Sequence, residues 1–172
     1  MEQLLKEIRI AMDNKLYFVA LQAALTIPDI CGAIESENGI ATGEKYCRWY
    51  DKYAKHRIGH FAMAEDIYLF RCSLLHQGTS IPSPRGKQKA TYSKIIFAAP
   101  YSDSLTIHNC VIMEVLSIDI EIFCNGLIEA AEDWKSDMKK ENNANYNNNI
   151  AKTIRYYPEG IPPYIVGIGT IG

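Results

Sequence analysis

The chain has 172 residues, about one domain's worth. Hydrophobic residues make up 48% and charged residues 22%, which excludes a disordered chain, a collagen and a highly charged tail protein. A net charge of −2 excludes a protein that wraps nucleic acid by bulk positive charge.

Apolar residues at Leu4, Leu5, Ile8 and Met12 share one helix face and predict a helix over 1–12. Residues 15–25 are apolar nearly all round, as in a helix at the middle of a bundle. Pro28 fits the first turn of a new segment over 27–36. The whole stretch from Leu16 to Ile34 is broken by Gln22, Pro28, Asp29 and Gly32, so it reads as buried core and not as a membrane span. Thr42 is a candidate N-cap for a helix over 43–56. A helix over about 63–76 follows, stopped by Gly78, and then a loop over 79–93.

Two strands are expected at 94–100 and 105–112, forming a hairpin over about 94–112 around a turn at 101–104. Ile120, Phe123, Leu127, Ala130, Ala131, Trp134 and Met138 keep a helical period and predict a long helix over about 117–140. Six of the eight residues 142–149 are Asn, read as a polar linker before a short helix over 148–156. The fold class expected is mainly α: a helical bundle over 1–141 with an inserted β-hairpin. Residues 142–172 would add the Asn-rich linker, the short helix and an extended apolar C-terminal tail packed on the same domain. No charge occurs in the last thirteen residues, a strap that must cover its own body or a neighbour.

The five cysteines, at 31, 47, 72, 110 and 124, are odd in number and lack C-x-x-C spacing. Reduced thiols in a cytoplasmic protein are therefore expected. His56 and His60 have zinc-like spacing, but Gly59 lies between them and no third ligand stands nearby. His108 and Cys110 would share a strand face as packing residues. The terminal G-x-G-x-x-G at 167–172 has no following helix to hold a pyrophosphate. No metal or cofactor is expected.

Residues 45–94 hold ten Lys or Arg against three acids. Arg48, Lys52, Arg85, Lys87 and Lys89 form a candidate patch for RNA phosphate; the plainer alternative is a solvated helix face and a basic loop. On the helix over 63–76, Asp66, Ser73, His76 and Glu65 fall on a polar arc, while Arg71 lands in the middle of the apolar arc. An arginine there needs an internal carboxylate or something anionic at an interface. The helix is apolar on so much of its circumference that it suits a central element or a dimer face.

Arg71-Cys-Ser-Leu-Leu-His76 is an R-x4-H pattern, with Glu65-Asp66 before it and Gln77-Gly78 after it. Together with a compact helical plan, it resembles the HEPN superfamily (higher eukaryotes and prokaryotes nucleotide-binding). Many members are metal-independent endoribonucleases of bacterial defence, toxin and RNA-processing systems. The resemblance implies Arg71 and His76 as catalytic residues in a cleft shared by two copies, hence a homodimer acting on RNA. Members often carry a polar residue directly after the arginine, where this chain has Cys72. Glu65, Asp66 and Ser73 are candidate supporting residues that could orient the pair. On a straight helix Arg71 and His76 diverge by about 140°, which also favours two copies. The alternative is a non-catalytic HEPN-like module that binds a nucleotide or a protein partner and uses the Arg–His segment as structure. No membrane association is expected.

Overall fold

A computed structural model describes residues 1–84, 86, 88–100 and 106–172. The architecture is mainly α. The first three helices are α1 (Glu2–Asp13), α2 (Tyr17–Ala24) and α3 (Ile27–Ile34). Pro28 sits in the first turn of α3, where its missing N–H costs nothing. Among the described residues, 17–34 form the one window apolar enough to cross a membrane by composition. Here it is divided between α2 and α3, and just over half of it is buried within the protein.

Helix α4 (Gly43–Trp49) starts at Thr42, whose hydroxyl accepts from the Lys45 N–H at 3.3 Å. It runs through a π-helical turn, Tyr50–Ala54, into α5 (Lys55–Ile58). This turn keeps Trp49, Tyr50 and Tyr53 buried together on the inner side. Helix α6 (Ala64–Gln77) ends at Gly78, whose φ of 68° is the left-handed cap that glycine adopts without strain. The longest helix, α7 (Ile120–Lys140), buries Phe123, Leu127, Ala130, Ala131 and Trp134, and it packs against α1, α2, α3 and α5. At its contact with α5 a side chain on Gly126 would meet Ile58 at 3.0 Å, so glycine sets the helix spacing.

The strands differ from the expected hairpin. Strand β1 (Lys94–Ala98) pairs parallel with β3 (Val115–Asp119), and the hairpin is β2 (Cys110–Ile112) with β3. The sheet order is β1-β3-β2. β3 takes the centre because Leu116 and Ile118 are fully buried there, opposite Ile95 and Phe97 of β1. The β2–β3 turn is Met113-Glu114, both at positive φ, as a tight primed turn requires. The expected turn at 101–104 lies outside the described residues.

His108 precedes β2 instead of sharing a strand with Cys110. Its Nδ1 accepts from the Asp119 N–H at 3.2 Å, which leaves Nε2 to donate to the Ile58 carbonyl at 2.6 Å. The long helix also starts three residues later than expected. Residues 117–119 are strand, and Asp119 caps the helix by accepting from Glu121 N and Ile122 N, each at 2.9 Å.

The Asn-rich run is not a linker. It forms α8 (Ala144–Ile150), capped by Asn143, whose side chain accepts from Tyr146 N at 3.0 Å. Asn149 is buried and donates to the carbonyls of Ile34 and Ser36, at 3.1 and 2.8 Å. Asn145 donates to the Glu35 carbonyl at 3.2 Å. The asparagines thus satisfy carbonyls orphaned at the end of α3. The tail is ribboned, with β4 (Tyr156–Tyr157) on β7 (Thr170–Ile171) and β5 (Gly160–Ile161) on β6 (Ile165–Val166). Most of its apolar side chains remain exposed and do not pack on the body.

Candidate functional site

Helix α6 is held centrally. Phe70 meets Phe97 of β1 at 5.3 Å between ring centres, and Phe97 meets Phe123 of α7 at 4.9 Å. Ile67, Leu69 and Leu74 are buried too. The apolar circumference of α6 is thus covered within one chain, the central-element option, and does not itself call for a partner. What stays open is the last turn, with His76 exposed and Arg71 part-buried.

Arg71 finds an internal acid. Its Nη2 lies 2.6 Å from Oδ2 of Asp29 on α3, with side-chain exposures of 19% and 13%. The contact is close, and among the described residues neither Oδ2 nor the Arg71 Nε has a well-directed hydrogen bond. Burial pushes the Asp29 carboxyl above its ordinary range, opposed by the charges of Arg71 and then His76. On the other side, Arg71 Nη1 stands 3.5 Å from His76 Nε2. The two residues diverge around the helix, yet the arginine stem spans the rise of about 7.5 Å between them. One chain therefore assembles a carboxylate, a guanidinium and an imidazole in a row.

Tyr46 of α4 is fully buried beside this row. Its phenol is pushed well above its ordinary range by burial first, then by the charge of Asp29, while Arg71 opposes the shift. Its hydroxyl has no hydrogen-bond partner among the described residues. Its ring packs on Tyr68 of α6 at 5.3 Å, which braces α4 against the helix that carries Arg71.

The expected supporting residues stand elsewhere. Asp66 is buried and accepts from the Thr91 N–H at 2.7 Å. Ser73 is buried, and its hydroxyl accepts from the Ser83 N–H at 3.0 Å. Both pin the 79–93 loop along α6, so neither orients the pair. Glu65 is exposed at the start of α6, about 9 Å of helix rise from Arg71. The orienting part falls to Asp29. The sequence did carry a signal for it: a lone acid within an apolar helix, and a lone arginine on an apolar arc, each needing a partner.

Of the phosphate patch, Arg48 and Lys52 lie one turn apart and exposed, and Lys89 is exposed on the loop. The Lys52 ammonium sits 4.7 Å from the centre of the Tyr53 ring. None of the three has an ion pair among the described residues. Arg85 and Lys87 lie outside the described residues.

All five cysteines are free thiols. Burial pushes Cys47 and Cys124 up to about 12, which leaves them un-ionised and unsuited to nucleophilic attack. Among the described residues no three His, Cys, Asp or Glu side chains are grouped to hold a metal ion. His56 and His60 are exposed, and His60 contacts Phe61, with ring centres 4.1 Å apart. Comparison with protein-family models, curated proteins and solved structures gives no match.

Proposed function

We propose that the chain is a HEPN-like helical domain that cleaves RNA without a metal, in the cytoplasm of a bacterium, as part of a defence or toxin system. The observation that carries this reading is the contact of an exposed histidine with an arginine at an open helix end. Imidazole is the side-chain type suited to take the proton of an attacking ribose 2′-OH, and His76 supplies one at this open end. Arg71 offers permanent charge to the phosphoryl oxygens as the phosphorane forms. Asp29 holds the guanidinium in place from the side away from His76. A second proton-transfer group must meet the leaving 5′ oxygen, and a homodimer would bring a second His76 for it.

A second reading is favoured by the ion pair itself. Asp29 already balances the Arg71 charge, so the row could serve structure in a non-catalytic module that binds a nucleotide or a protein partner. The two are separated by incubating the purified protein with structured and single-stranded RNAs in excess chelator. The enzyme reading expects cleavage that falls at least about a hundredfold in His76→Ala, the scale of a lost acid–base group. A folded wild-type protein that leaves every RNA intact would overturn it.

A further inference from the structure

The ribbon at residues 155–172 is poorly covered by the rest of the chain. Tyr164 is 85% exposed, Val166 69% and Ile168 67%. Ile154, Tyr156 and Ile171 are also exposed, and with Arg155 they form one wall of an open cavity of about 570 Å³ whose other walls carry Leu4 and Ile30 beside the charged Glu2, Glu7, Lys135 and Lys139. Apolar surface therefore continues from the cavity out along the ribbon. The strands are two residues long each. A two-stranded ribbon of that size is marginal in water unless something packs on it.

We infer that this ribbon is a self-association surface whose occupant is the same ribbon of a second copy of the chain. Two properties select that occupant. The first is neutrality: from Gly160 to Gly172 there is no charged side chain. Near the axis of a two-fold contact each side chain meets its own copy, so a charge there would face its own kind, and an uncharged apolar patch escapes that repulsion. The same neutrality disfavours an anionic membrane, which binds peripheral segments through Lys and Arg, and a charged partner, which is selected by complementary charge. The second property is area. At about 150–250 Å² for a whole aromatic residue and somewhat less for an aliphatic one, the six exposed side chains present on the order of 800 Å², the share of one partner in a standard interface. This contact lies on the ribbon and not on α6, and it stands whether or not the Arg71–His76 row cleaves RNA.

The test is the mass of the full chain in solution, by light scattering across 1–100 µM. The wild type is expected to be a dimer in the upper part of that range. The double variant Val166→Glu/Ile168→Glu places charges at two exposed positions and is expected to be monomeric with an unchanged helical circular dichroism spectrum. Phe18→Glu, on the exposed face of α2, is expected to remain a dimer. A wild type that is monomeric at 100 µM overturns the proposal, as does a double variant that stays dimeric. Loss of dimer in Phe18→Glu but not in the ribbon variant would overturn it too, by assigning the interface to α2. A monomer that floats with phosphatidylcholine–phosphatidylserine vesicles would show a lipid surface as the occupant instead.

Discussion

Arg71 shows how one side chain can be both structural and exposed to solvent chemistry. Its pairing with Asp29 at 2.6 Å is part-buried on both sides, so removing it strands a carboxylate that burial already disfavours. Breaking a fully buried pair costs about 3–5 kcal/mol. With this degree of solvent access, Arg71→Ala should cost about 1–3 kcal/mol and leave the protein folded. The loss should depend on pH. Without the guanidinium, the Asp29 carboxyl in the folded state moves further above its unfolded value. A raised carboxyl lowers stability while the pH is high enough to ionise it, and stops doing so once both states are protonated. The gap in melting temperature between wild type and Arg71→Ala should therefore be widest near neutrality. It should close as the pH falls into the ordinary aspartate range. A gap unchanged from pH 7 to pH 4 would show that the ion pair is not the source. His76→Ala removes an exposed group at a helix end and should cost at most about 1 kcal/mol, measured by the same melts.

Elements were legible in the sequence where a local signal and the tertiary packing agree. The helix over 63–76 has a period, an acidic first turn and a glycine stop, and it spans Ala64–Gln77 in the fold. Thr42 and Pro28 announce their helix starts by side-chain and ring chemistry that no distant contact needs to confirm. Legibility ended where pairing is non-local. Nothing in 94–98 tells that it lies parallel to 115–119, because the choice is made by burial of Ile95, Leu116 and Ile118 together. The Met113-Glu114 turn lacks the Asn-Gly signature of its backbone type. The Asp29–Arg71 row joins residues forty-two apart, and the sequence showed only that Arg71 needed a partner. The asparagine run misled for a related reason: its amides act on α3, more than a hundred residues away. That docking is testable. Asn149→Ala leaves the carbonyls of Ile34 and Ser36 without their donor, which should cost about 1–3 kcal/mol in urea unfolding. A loss within error of zero would mean that α8 does not hold the end of α3.

For the whole molecule, charge decides how it can meet an RNA. The net charge of −2 gives no general attraction, and residues 45–94, with ten cations against three acids, are the net-positive stretch of the chain. Arg48, Lys52 and Lys89 are exposed and free of acid partners among the described residues. If these three meet phosphates, binding to single-stranded RNA should weaken with salt at a logarithmic slope of about −2; all five patch residues would raise this to about −3.5. Either value is far shallower than that of a protein bound by many phosphate contacts, because the acidic remainder leaves few cations to add. Fluorescence anisotropy with a labelled RNA between 50 and 200 mM salt measures the slope. Replacing Lys52 with Ala should make it shallower by about 0.7, one released counterion, with little change in the melting temperature, since the side chain is exposed and lies over the Tyr53 ring. His76→Ala should leave the slope unchanged even where it abolishes cleavage, because it removes no permanent charge. A slope of zero, or one that Lys52→Ala does not move, would take the patch away from RNA and leave the row at the end of α6 to a different ligand.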